Sequence, residues 1–235
     1  DVDRAACVGA DGREINRNAL VALASAIALR DAPGGTVVTD SVTSDGLKEF
    51  IEKNLGGVHY RYRRGYKNVI NKAKELNAAG IDCPLAIETS GHAALRDNFF
   101  LDDGAYLMAR IIILFAELRS KGHELTELLT DLKMPAEAKE IRYKINCRDF
   151  AEYGKTVLAD LEEYCKTFDF LAPAPDNREG FRVNFDKEHG DGWLLLRLSV
   201  HDPVMPLNIE SNSKGGAEKI ERFFAEFVKR HEKLS

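Results

Sequence analysis

Residues 18–30, NALVALASAIALR, place apolar side chains at helical spacing among good helix formers. The DAPGG that follows breaks this helix, and TVVTDSV (36–42) is a β-branched strand. Ser44 or Asp45 caps a second helix, GLKEFIEKNL (46–55). GVHYRYRR (57–64) is strand-like, and Gly65 opens a third helix, YKNVINKAKELNAAG (66–80). A third strand lies in IDCPLAIET (81–89), whose CPLAI core is apolar on both faces, as suits a central strand. Asp102 and Asp103 open a long helix through about residue 120, with their charges where the helix dipole favours them. Its apolar run YLMARIIILFAEL (106–118) is interrupted by Arg110 and reads as a buried helix. The alternation over 16–120 predicts an α/β domain layered α/β/α.

The pattern changes after about residue 135. AKEIRYKINCRD (138–149) reads as a connecting strand, FAEYGKTVLADLEEYCKTF (150–168) as a helix, and LAPAPDNREG (171–180) as a loop. FRVNF (181–185), GWLLLRLSV (192–200) and PLNIES (206–211) follow as strands, and residues 214–234 as a terminal helix. This predicts a smaller α+β domain. The expected division is an α/β domain up to about residue 135, a hinge over 136–148 and the α+β domain over 149–235.

Composition narrows the classes. Of 235 residues, 44% are hydrophobic and 30% charged, enough for a real core. A net charge of −5 with mixed signs argues against broad nucleic-acid binding, which wants a basic face. No apolar run approaches the roughly 20 residues of a membrane helix, and no signal peptide or lipidation motif is present. Cys7, Cys83, Cys147 and Cys165 form no CxxC pair, so reduced thiols and a cytoplasmic location are expected. The first residue is Asp rather than Met, and the opening reads as a strand and turn already in progress, so a longer parent chain is expected.

Three short stretches carry candidate chemistry. Asp1 and Asp3, one residue apart, can converge on a hard cation such as Mg2+, or stand as a solvated acid pair. Glu88-Thr89-Ser90-Gly91-His92 ends the apolar third strand abruptly. A carboxylate and a hydroxyl there can grip neighbouring sugar hydroxyls, and an imidazole can move protons near neutral pH; a tight polar turn is the plainer alternative. Arg197 and Ser199 alternate with Leu198 and Val200, so both polar side chains can share a face. A guanidinium fork with a hydroxyl suits phosphate, although most arginines at strand ends are simply exposed.

In order, DxDR (1–4), G-x-K (65–67), E-x-S-G-H (88–92) and R-x-S-x-x-D-P (197–203) resemble the C-terminal half of the α-D-phosphohexomutase superfamily, the phosphomannomutase/phosphoglucomutase group. The resemblance covers nearly the whole chain, and its specificity lies in the combination. It implies a phosphotransfer between the 1- and 6-positions of a hexose phosphate through a bisphosphate. By this resemblance, residues 1–15 end a metal-loop domain, with Asp1 and Asp3 as Mg2+ ligands, Arg4 beside them and a third aspartate upstream. Residues 16–135 would be the sugar-binding domain, with Glu88, Ser90 and Lys67 on the ligand and His92 as the proton-transfer group. Residues 149–235 would hold the non-reacting phosphate through Arg197, Ser199 and His201. The phosphoserine nucleophile would lie in N-terminal domains that this chain lacks, so the chain alone is expected to be inactive. The usual phosphate loop, R-P-S-G-T-E-P, is altered here at four positions, including His201 and Asp202. A non-catalytic phosphosugar-binding homologue and a phosphoglucosamine mutase are therefore the alternatives.

Overall fold

The computed structural model describes residues 2–200 and 202–235. Two compact units divide the chain, one ending at Met134 and the other spanning Pro135–Ser235.

The first unit begins with a short antiparallel hairpin, β1 (Cys7–Val8) and β2 (Glu14–Ile15). There follow α1 (Arg17–Asp31), β3 (Thr36–Thr39), α2 (Asp45–Glu49), β4 (Val58–Arg61), α3 (Tyr66–Ala78), β5 (Leu85–Ile87), β6 (Ala93–Leu95) and α4 (Gly104–Ser120). A π-helical turn over Phe50–Asn54 continues α2. The sheet order is β4-β3-β5-β6, with β3 parallel to both β4 and β5 and β6 antiparallel to β5. Strand side chains alternate between faces. Val37, Leu85, Ile87, Ala93 and Leu95 pack in one core with α1 and α4, while Val38, Ala86 and Ala94 pack in another with Val69, Ile70, Ala73 and Leu76 of α3. These two cores make the expected α/β/α layering.

Three details depart from the sequence reading. The 81–89 strand shrinks to β5, and the chain turns back at once as β6, in a stretch to which the sequence pattern assigns no element. Ala93-Ala94-Leu95 has little strand propensity of its own; pairing with β5 decides it. α1 is buried almost all round, from Leu20 to Leu29, as a helix without a polar face must be. α4, expected to be buried, buries Leu107, Ile111 and Leu114 but leaves Ile112, Ile113 and Phe115 exposed. Those buried positions are spaced 4 and 3, one stripe of an outer-layer helix, so the run of isoleucines wraps past the stripe.

The second unit is an antiparallel sheet of order β7-β11-β10-β9-β8, made by β7 (Glu137–Lys144), β8 (Leu171–Pro173), β9 (Phe181–Phe185), β10 (Gly192–Leu196) and β11 (Val204–Ser211). Helices α5 (Phe150–Cys165) and α6 (Gly216–Val228) pack on the face formed by Phe181, Val183, Leu194, Leu196, Leu207 and Ile209. Segment 136–148, expected to be a hinge, is mostly β7, paired over eight residues with β11. Its ladder hydrogen bonds make it part of the sheet rather than a free connector.

Candidate functional site

The E-x-S-G-H stretch is the hairpin between β5 and β6, at the carboxyl end of β5. Glu88 N–H donates to His92 O (2.9 Å) and Gly91 N–H to Glu88 O (3.0 Å), closing the turn. Gly91 has φ +97, and a Cβ there would lie 2.6 Å from Ala5 O. Only glycine fits, because residues 4 and 5 run directly across it. Ala5 N–H donates to Gly91 O at 3.0 Å, and Arg4 and His92 form an antiparallel bridge. Gly104 N–H donates to Val2 O at 3.1 Å. Residues 2–5 are thus threaded between the E-x-S-G-H turn and the start of α4. This brings Asp3 Oδ2 to 3.8 Å from His92 Nδ1.

Glu88 is 3% exposed, although carboxylates are seldom buried. Its Oε1 accepts the Gly65 N–H (2.5 Å) at the start of α3, and its Oε2 accepts the Ser90 hydroxyl (3.2 Å). One carboxylate thereby ties the G-x-K segment to the turn. Gly65 (φ +114) is the residue before α3 and leaves its N–H free for this bond. Lys67 is exposed on the first turn of α3, with Nζ 5.8 Å from the Tyr66 ring centre. The Tyr66 ring stacks on the His92 imidazole, centres 4.9 Å apart and planes 21° from parallel.

His92 is buried at 7% exposure, and its Nδ1 lies 2.7 Å from Asp102 Oδ2. Asp3, His92 and Asp102 offer ligand atoms within 4.8 Å of one another. Asp3 is 36% exposed at its side chain, a hard oxygen donor with an open side. Asp1 lies outside the described residues.

Behind the turn sits Asp40, just after β3 and fully buried. Its Oδ2 accepts both the Thr89 hydroxyl (2.7 Å) and the Thr89 N–H (3.3 Å). Burial pushes its carboxyl up to about 6; the Thr89 hydroxyl bond opposes the rise, the nearby Glu88 charge adds to it, and Arg64 counters it.

In the second unit, Arg197 and Ser199 follow β10. Arg197 N–H donates to Pro206 O and Ser199 N–H to Val204 O, both at 3.0 Å, so the hairpin with β11 continues past the named strand. Arg197 is buried at 7% exposure, which excludes the plain reading of an exposed strand-end arginine. Ser199 Oγ accepts the Asp202 N–H at 3.2 Å, an ST-type turn. Val200 is 81% exposed. His201 lies outside the described residues.

Residues 16–134 match the family model described as phosphoglucomutase/phosphomannomutase, alpha/beta/alpha domain III. The chain belongs to this family. A phosphoglucomutase/phosphomannomutase from Thermococcus kodakarensis is 27% identical over 219 residues, 93% of this chain and 43% of its own length. A phosphomannomutase/phosphoglucomutase from Pseudomonas aeruginosa is 26% identical over 97% of this chain and 45% of its own. The chain therefore spans less than half the length of these relatives. A solved phosphoglucomutase/phosphomannomutase family protein from Burkholderia thailandensis superposes with a TM-score of 0.76 at 25% identity, over 98% of this chain and 45% of that one.

Within this phosphohexomutase framework, sequence reasoning missed Asp40, Tyr66 and Asp102. Asp102 carried a legible signal, two acids before a glycine at a helix start, but only Asp103 caps α4, by accepting the Tyr106 N–H at 2.9 Å. Asp40 carried none, since an acid after a strand is common in turns.

Proposed function

We propose that this chain is the sugar- and phosphate-binding part of a phosphohexomutase acting between the 1- and 6-positions of a hexose phosphate. The observation that carries this reading is the backbone pairing of residues 4–5 with 91–92. It gathers the metal-loop and sugar-loop motifs, more than 80 residues apart in sequence, around one imidazole. Glu88 and Ser90 accept and donate to neighbouring sugar hydroxyls, and Lys67 adds charge at the start of α3. Arg197 and Ser199 take the phosphate that is not reacting, with His201 of the same loop. In the first half-reaction a sugar hydroxyl oxygen attacks the phosphorus of a phosphoserine, the bond from phosphorus to the serine oxygen breaks, and the hydroxyl proton passes to His92. In the second, the serine oxygen attacks the other phosphorus of the reoriented bisphosphate, the bond from that phosphorus to the sugar oxygen breaks, and His92 returns the proton to the sugar oxygen. The serine is expected in the length of the relatives that this chain does not span.

The donors fit Mg2+: Asp3 presents an accessible carboxylate fixed by backbone pairing on both sides, and Asp1 is its partner in the motif. Bound there, the ion would offset negative charge on the transferring phosphoryl group.

Titration calorimetry with glucose 6-phosphate and mannose 6-phosphate tests the reading. Loss of one charge-assisted hydrogen bond costs about 1.5–3 kcal/mol, so Arg197→Ala weakens binding of both sugars by roughly 10- to 100-fold. Glu88→Ala also weakens both. No binding of either sugar phosphate, or binding indifferent to both substitutions, overturns it. Phosphosugar binding without turnover is the second reading. It is favoured by the altered loop, where His201 and Asp202 stand in place of the usual threonine and glutamate.

A further inference from the structure

We infer that Asp102 is a positioning residue for His92, setting which ring nitrogen carries the mobile proton. The inference rests on the proton-transfer role proposed above for His92. Neutral imidazole has one donor and one acceptor nitrogen, and a carboxylate only accepts. Asp102 Oδ2 at 2.7 Å from Nδ1 therefore requires a hydrogen on Nδ1, leaving Nε2 as the nitrogen that takes and returns a proton. Asp3 Oδ2, the other carboxylate oxygen near Nδ1, is at 3.8 Å, beyond hydrogen-bond distance, and it too offers no donor. Both groups facing Nδ1 thus favour the same tautomer, and only Asp102 is bonded to it.

The carboxylate is itself held for this role. Its other oxygen, Oδ1, is buried without a hydrogen-bond partner among the described residues. The His92 N–H is therefore the one hydrogen bond that Asp102 makes through its side chain among the described residues. The backbone around it is pinned: Asp103 N–H donates to Ala93 O (3.1 Å), Gly104 N–H to Val2 O (3.1 Å), and Asp103 caps α4. Tyr66, stacked on the imidazole at 4.9 Å, limits rotation of the ring out of this bond. Orientation and tautomer are thus set by different neighbours, as a proton-transfer group requires.

The test is a long-range 1H–15N correlation spectrum of the histidine rings in the 235-residue chain at one mildly alkaline pH, with His92 assigned through His92→Gln. Wild-type His92 shows the Nδ1–H pattern alone. Asp102→Asn, of the same shape, loses that single-tautomer pattern, while the His59 and His231 ring signals stay in place and report an intact fold. A wild-type Nε2–H pattern overturns the inference, and this arm stands even if the variant does not fold. An unchanged His92 pattern in folded Asp102→Asn also overturns it. The spectrum needs no sugar phosphate, so failure of the mutase reading, seen as absent binding in calorimetry, is distinguishable from failure of this one.

Discussion

Asp40 shows how one residue behind a loop governs the loop's electrostatics. It is fully buried and its Oδ2 accepts from both the hydroxyl and the N–H of Thr89, between the two candidate sugar contacts Glu88 and Ser90. Its carboxyl titrates at about 6 in the fold against an ordinary 3.8. The folded chain therefore keeps a proton that the unfolded chain releases first. Asp40's contribution to stability is most favourable below about pH 4 and declines as pH rises to about 6, by about 3 kcal/mol in all. Asp40→Asn keeps a carbonyl for Thr89 and removes the charge. Relative to wild type, the variant gains stability by up to about 3 kcal/mol between pH 4 and pH 7. Urea unfolding across that range measures it, and a pH-independent difference would show that Asp40 is not the group responsible.

At the scale of elements, the hairpin between β5 and β6 works because other segments pass close to it. Gly91 and Gly104 both lie against the backbone of residues 4 and 5: an added Cβ would meet Ala5 O at 2.6 Å and Arg4 O at 2.5 Å respectively. Gly91→Ala adds a left-handed conformation to that clash, which alone costs about 1–2 kcal/mol. The expected result is a loss of at least that much in denaturant unfolding, together with faster amide exchange at Ala5, whose N–H would no longer reach Gly91 O. Unchanged exchange at Ala5 would mean that the segment does not depend on this turn. In the second unit the corresponding support is apolar. Phe224 is fully buried against Tyr143 and Phe227, and Phe224→Ala should cost about 3–5 kcal/mol in the same measurement.

For the molecule as a whole, the deciding quantity is length. The relatives are more than twice as long as the stretch matched here, which is 43% and 45% of their chains. On the function proposed above, which leaves the phosphoserine to the unmatched length, the expected outcome is that the 235-residue chain binds hexose phosphate without converting glucose 1-phosphate to glucose 6-phosphate. A coupled assay on the purified chain checks this, and measurable conversion would place a phosphoryl-accepting nucleophile within these residues. No helix among the described residues is long and apolar enough to cross a membrane.

Periodicity along the chain was enough to read the α/β/α layering, the α+β class of the second unit with its two helices, and the polar turn that follows the CPLAI run at Glu88. Each of those signals is local: spacing reports which face an element buries, and a polar cluster after an apolar run reports where it stops. β6 was illegible because two alanines and a leucine become a strand only when β5 offers them a partner. The chemistry of the site was illegible for a related reason. Asp3, His92 and Asp102 meet through backbone pairing between residues 2–5 and 91–104, Tyr66 stacks on His92 from α3, and no spacing within one segment records such long-range contacts. The sequence by itself therefore determined which side chains were available for the chemistry proposed here. Tertiary structure decided which of them share one imidazole, because distance between segments is set by how the layers pack.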